Sequence, residues 1–537
     1  MTPDVYDLGS KRELFADDFF IGTLLGNCQR RINNPIPDDI VFTLDEEHEK
    51  CNSSSCFNSI IFDGKRYLFY YRVGLNLPTE NNPQSREEAC LCVAESYDGI
   101  NFKRCQVNLF KSGYNVVLDT TKTRHLTPAH LNDICPAVTT AFYDTNPACP
   151  ENEKYKLIVT NERPPASDER GMYLFVSADG FDFHQKMGKF KLDERSGYDS
   201  ANQAFFDHNI GKYRLYHRCF KWYGPDWKRY IFTHVTEDFE TFTDGQYIEF
   251  DSEFDSYFAI GQELYTNAIR PYFRAPHILL GFPMRYNEGS MTPGLYATTA
   301  DWNERILSRP GFKKRIFRAK LSVRYAIAST DTVLIASRDG FNFKGHGESF
   351  ITPPPADDSW VYGSGSVCLG MMVSPAKTGY GAPDELSFLV PEGNWGDDTV
   401  RFRRYRLRMD GFVSLHFGMN TGSWLSPKFT FKGGMLTFNV KTGGFGGFRV
   451  ELRDEQNNPI PGYTFADSYE LIGDGLNIAA RWRNGKDVRK LEGKVISIAF
   501  LGRNCDLYSV KFEDFIPDPE LPDIISKNIT EDIQKPK

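Results

Sequence analysis

DSANQAFFDHNIGKYRLYHRCF, residues Asp199 to Phe220, is the stretch whose reading decides the fold. Residues 200–206 alternate as a strand does, His208 to Gly211 reads as a turn, and Lys212 to Phe220 alternates again, so the stretch is a β-hairpin. Asp199 opens its first strand and His217 with Arg218 closes its second. In an antiparallel pair those positions are neighbours, which gathers a carboxylate, an imidazole and a guanidinium at one end.

Outward from this hairpin the chain repeats itself. A strand-ending signature, small residue, any residue, Asp, Gly, two residues, Phe, occurs as SYDGINF at Ser96–Phe102, SADGFDF at Ser177–Phe183 and SRDGFNF at Ser337–Phe343. TEDFETF at Thr236–Phe242 is a relaxed copy and Met409 to Phe412 a remnant. A hairpin precedes each copy. Serial antiparallel units of three or four strands predict an all-β fold, a five-bladed β-propeller over residues 1–424, with the strand in Lys11–Ile21 closing the ring on the last blade. From Phe429 to Phe512 the alternating segments lack the signature and are separated by Gly-Gly and Asn-Pro turns, which predicts a β-sandwich over 425–515. Residues 516–537 read as a Pro- and charge-rich disordered tail.

The chain has 537 residues and a formal net charge of −8, with both signs interspersed. That argues against nucleic acid as a partner. Windows long and apolar enough for a membrane helix are absent, and the N-terminus lacks a signal-peptide profile. The expectation is a cytoplasmic protein, or a secreted or periplasmic one whose leader was removed, with no membrane partner. Eleven scattered cysteines without a CxxC pair predict free thiols and no metal. No cofactor is expected, and the oligomeric state is not legible.

In a propeller the inner-strand starts and second-strand ends share one face. At those corners stand Asp133, Asp199 and Glu263, with Arg72, Glu162, Arg163, His217 and Arg218. Arg270 and Arg274 lie on an inner strand and its turn, and Trp360 follows a rim corner where it can stack on a sugar. Carboxylates crowded near arginines are how a site separates an acid from a base, and glycoside hydrolysis needs such a pair. Asp98, Asp179 and Asp339 are each followed by Gly and read as turn caps.

The repeats, five blades and appended sandwich resemble the five-bladed propeller glycosidases, the invertase-like and arabinanase-like enzymes. KRELFADDFFI, YDSANQAFFD, RPYFRAPHILLGFPMRY and GGFRVELRDEQNNPIPGY look closest to a bacterial family labelled glycosyl hydrolases with an invertase-like N-terminal domain. The resemblance implies three acids from the first three inner strands, acting as base or nucleophile, stabiliser and general acid. Asp133 matches the second place and Asp199 the third. Ser54–Phe57 offers no first acid, which leaves Asp17, Asp18, the cluster Glu46 to Glu49, or Glu263 to supply it.

The expected function is an exo-acting glycoside hydrolase with a carbohydrate substrate, Asp199 as general acid, Asp133 as stabiliser or base and Glu263 as the remaining carboxylate. Two rivals stand beside it. One is a polysaccharide lyase using His217 with Tyr216 or Tyr265 on a uronate, and the other a non-catalytic glycan-binding propeller.

Overall fold

The computed structural model describes residues 5–50, 57–73, 90–109, 113–119, 134–161, 171–190, 192, 196–287, 307–308, 311–319, 326–355, 359–394 and 399–518. These are mostly β-strand, and the chain divides into two units, one of residues 16–18 and 31–414, the other of 1–15, 19–30 and 415–537.

The larger unit is a series of antiparallel sheets. The first runs Ser59–Phe62, Tyr67–Val73, Cys90–Ser96, Lys103–Arg104, and the second Ile134–Tyr143, Tyr155–Asn161, Gly171–Ser177, His184–Met187. In the third, Ser196–Gly197 and Gln203–Asp207 both pair with the long strand Lys212–Tyr223, followed by Asp226–Thr236. The predicted hairpin is there, with Asp207 opposite Lys212 and Gly211 in the left-handed region at φ +65°. The fourth group is split into two sheets, Glu263–Leu264 with Met284–Asn287 and Ser329–Thr332, then Arg270–Tyr272 with Ala275–Gly281 and Ile335–Ser337. The fifth is Met372–Ser374, Glu385–Glu392, Arg401–Arg408 and Ile36–Thr43.

That last strand corrects one expectation. Ile36–Thr43 pairs with the final strand of the fifth sheet, whereas Arg12–Leu14, inside the stretch expected to do so, pairs with Ser497–Glu513 in the other unit. The reason is what each strand buries. Phe15 and Phe20 pack edge-on against Trp424 at 5.3 and 5.7 Å. Ile36–Thr43 instead turns Asp38 inward, where Arg404 donates to it at 2.6 Å.

Hydrogen bonds tie each group to the next. Ala141 N–H donates to Ser59 Oγ, Thr140 Oγ1 to Asn202 O, Ser200 Oγ to Tyr265 O, Thr332 Oγ1 to Gly365 O, and Leu369 N–H back to Asn58 O. Arg270 reaches between them, donating to Ile60 O at 3.1 Å and Ala141 O at 3.0 Å. Burial pulls its guanidinium down to about 10.

The repeated signature is a turn, as read from the sequence. Asp98 Oδ1 accepts the N–H groups of Ile100 and Asn101, Ser96 Oγ accepts that of Gly99, and Asp179 and Asp339 repeat the pattern. Gly180 also takes a hydrogen bond from Tyr70 of the first sheet, and an added Cβ would lie 2.8 Å from that hydroxyl. In the relaxed copy Phe239 adopts φ +64° without glycine's freedom, a cost of about 1–2 kcal/mol, offset by packing on Tyr213 at 4.6 Å. Burial works against ionisation of Asp98, yet the bonds from Asn101 and Ile100 hold its carboxyl at about 2. Its folded value lies below the unfolded one, so its contribution is complete above about pH 4 and is lost as pH falls through about 2. Asp98→Ala should therefore lower the melting temperature at neutral pH and flatten its decline between those two values, a difference calorimetry reads directly.

In the smaller unit one sheet orders Thr23–Ile32, Val413–Leu425, Ser497–Glu513, Met435–Arg453 and Asp474–Ala479, and Tyr6–Gly9 pairs in parallel with Phe429–Phe431. Its apolar contacts centre on Phe438, Phe448 and Phe500, the last two stacked at 4.9 Å.

Candidate active site

The side chains near Asp199 come from the third sheet, the fourth group and the segments that precede the first and fifth sheets. Asp199 follows the short strand Ser196–Gly197, and its carboxylate, 55% exposed, lies 3.7 Å from Nη2 of the buried Arg218. Arg218 stands opposite Gly197 across the ladder, so the hairpin fixes both partners. Its guanidinium lies 5.5 Å from the ring of Tyr265 and 5.3 Å from that of Phe220, within the range of a cation–π contact.

Tyr265, at the head of the fourth group, is the hub. Phe57 from the approach to the first sheet is stacked on it at 6.2 Å and 13°, and Tyr286 and Tyr362 each lie 5.8 Å away. Burial pushes both the Tyr265 and Tyr362 hydroxyls up, and the nearby charge of Asp199 adds to it. Both phenols therefore stay protonated at neutral pH, as donors.

Arg229 completes the wall. It stands over Tyr286 at 4.7 Å and Tyr265 at 5.4 Å, and its Nη1 donates to Glu263 Oε2 at 2.7 Å while its backbone N–H donates to the same oxygen at 3.0 Å. Arg318, from the helix Phe312–Ala319, lies over Tyr362 at 4.9 Å. The Nε of Arg218 and both amide atoms of Gln203 are buried with no partner among the described residues.

The residues expected from the sequence divide accordingly. Asp199, Arg218 and Glu263 are together. Glu263, however, is buried and bound twice by Arg229, so it meets a fixed cation where a free carboxylate was expected. His217 is fully buried, with Nδ1 3.0 Å from Arg218 O and its ring stacked on His234 at 5.2 Å, because alternation turns it to the opposite face from Arg218. Arg274 is drawn away to the buried Asp410, at 2.9 Å. Arg270 binds backbone carbonyls. Arg72 is buried on the second strand of the first sheet, its N–H donating to Asn58 Oδ1. Trp360 lines a cleft of about 240 Å³ with Gln262, Arg285 and Asp331. Asp133, Glu162 and Arg163 lie outside the described residues.

Three of the candidates for the missing first acid are also engaged. Glu49 is buried and bound by Arg104 and Tyr71, Asp17 pairs with Arg338 at 2.7 Å, and Asp18 lies 3.6 Å from Lys344. His48, Glu49 and Cys92 are close enough to share a cation, but Arg104 already occupies that carboxylate. Tyr216, an acid or base in the lyase reading, is fully buried and donates to Gly340 O at 2.7 Å. Arg229 and Tyr362 escaped the sequence reading. The hairpin register, which places Arg229 opposite Phe220, was the one available signal for the first.

No family model matches the chain, and no curated protein matches it. Several solved structures similar to it are described as glycoside hydrolases. One belongs to the GH130 family of mannoside phosphorylases, containing glycoside hydrolases that target β-1,2 mannosidic linkages in Candida mannan; it is 13% identical, covers 74% of this chain and 97% of its own, and has a TM-score of 0.40. Another is Zg3597, a family 117 glycoside hydrolase of Zobellia galactanivorans, with 10% identity, 71% and 90% coverage and a TM-score of 0.34. A third is the sucrose-6-phosphate hydrolase of Lactobacillus gasseri, with 9% identity, 90% and 93% coverage and a TM-score of 0.34. Likeness at this level assigns no role to any side chain of this chain.

Proposed function

We propose that the protein is an exo-acting glycoside hydrolase built on a five-bladed β-propeller. The cycle of hydrogen bonds that leads from each group to the next supports the ring. The observation that carries the activity is Asp199, an exposed carboxylate backed by a buried arginine and near enough to the phenols of Tyr265 and Tyr362 to raise both. Aromatic faces with a carboxylate at their rim suit a pyranose ring and its glycosidic oxygen.

Asp199 is assigned as general acid to the leaving oxygen. Hydrolysis needs a second carboxylate, ionised, to activate water or attack carbon. Asp133, next in sequence to the strand Ile134–Tyr143, is assigned that part. Glu263 is given a positioning role, holding Arg229 against the tyrosines. Exo action is favoured by Arg270, whose guanidinium spans first strands of different sheets and leaves a chain end, rather than a threaded polymer, as the natural substrate. Arg218 is placed to orient both Asp199 and a sugar hydroxyl.

A screen of aryl glycosides and of algal and plant oligosaccharides tests the proposal. Release of a terminal sugar with no new absorbance from a double bond is expected. Absence of turnover on every substrate, or appearance of an unsaturated product, would overturn it.

A further inference from the structure

The third sheet has an arm that the site does not use. Beyond Arg218 and Ile231 its two long strands continue as a paired ribbon to a turn at Gly224, with Phe220 opposite Arg229 and Trp222 opposite Trp227. Residues directly opposite share a face, so Phe220, Trp222, Trp227 and Arg229 lie on one side.

The two sides of this ribbon differ sharply. The back is fastened, since Tyr223 stacks on Phe258 at 5.0 Å and 11° and donates to Asp255 at 2.7 Å, and Tyr230 packs on Phe258 at 4.8 Å. The front is bare. Trp222 is 69% exposed, Trp227 46% and Phe220 37%, although large aromatics are the residues that folding ordinarily covers. A two-stranded ribbon alone would be mobile, but the fastened back makes this front a preformed surface.

The front is continuous with the candidate site. Phe220 and Trp227 meet edge to face at 4.6 Å, Arg218 lies over Phe220, and Arg229 stands 5.6 Å from Trp227. The same two arginines touch Tyr265. Arg218 to Trp222 is four residues, about 13 Å of extended strand, long enough for a short run of pyranose rings.

We infer that this arm is a glycan-binding platform, holding the body of a polysaccharide chain whose end occupies the mouth at Asp199. The inference rests on the proposed site for its direction, and it makes the substrate a polymer or long oligosaccharide. Flat rings on a rigid strip hold sugars by their C–H faces, which suits pyranose chains of varied composition.

Affinity electrophoresis tests this, with galactomannan, xyloglucan, xylan and polygalacturonate as soluble probes, on the full chain and on the Trp222→Ala/Trp227→Ala and Trp222→Phe/Trp227→Phe variants. The wild-type chain should be retarded by at least one polymer, the alanine variant should bind it about tenfold more weakly or worse, and the phenylalanine variant should recover most of the loss. Both tryptophans are exposed, so melting curves of all three should nearly coincide. Absence of retardation by every polymer, equal retardation of the alanine variant, or a wild-type dimer that the alanine variant dissolves in sedimentation would overturn the platform. Tryptophan-dependent retardation in a protein that hydrolyses nothing would sink the hydrolase reading and leave the arm standing. Hydrolysis by a chain whose alanine variant is retarded like wild type would do the reverse.

Discussion

Asp199→Asn is expected to lower kcat by about 10²–10⁴-fold on any glycoside the wild-type protein hydrolyses, the range lost when a positioned acid or base is removed. Asparagine keeps the shape and still offers an oxygen to Arg218, so substrate binding should be nearly preserved and the loss should fall on kcat rather than KM. Stability should change little, because the 3.7 Å pair with Arg218 is open to solvent on the carboxylate side. A variant with normal melting, near-normal KM and collapsed kcat would mark Asp199 as a group in the chemistry. A fall in binding alone would mark it as a sugar ligand.

The second large effect is structural. Glu263→Ala removes the carboxylate that pairs with Arg229, which is 4% exposed and lies over the rings of Tyr265 and Tyr286. Leaving a buried guanidinium without its carboxylate costs about 3–5 kcal/mol. Two donors also lose their common acceptor, the side-chain Nη1 and the backbone N–H of Arg229. Urea denaturation should show a clear fall in midpoint. Glu263→Gln, which keeps one amide oxygen in place, should lose less. Were Glu263 instead the attacking carboxylate, the Gln variant would fold and melt like wild type while turnover vanished.

What the sequence made legible was whatever depends on local pattern. The hairpin from Asp199 to Phe220 was readable because alternation and a Gly-containing turn specify it within a few residues, and its ends bring Asp199 and Arg218 together automatically. The Asp-Gly turns were readable for the same reason, since each carboxylate caps N–H groups two and three residues ahead. Long-range choices were hidden. Arg274 looks like a substrate ligand until Asp410, 136 residues later, is seen to bind it. His217 and Arg218 are adjacent, and only the register of the sheet decides which faces Asp199 and which the interior. The strand that joins the fifth sheet was misplaced because Lys11–Ile21 was read there, whereas Ile36–Thr43 takes that place. Packing of Phe15 and Phe20 on Trp424 separates them, and that contact spans most of the chain.

Crystals of the Asp199→Asn protein soaked with the oligosaccharide that the wild-type protein hydrolyses fastest would test most directly whether sugar is held and cut at this mouth. The expected density places a terminal sugar ring against Tyr265 and Tyr362, its glycosidic oxygen within hydrogen-bonding distance of residue 199 and the rest of the chain leading toward Trp227. Sugar bound elsewhere on the molecule, with residue 199 facing only solvent, would contradict the account.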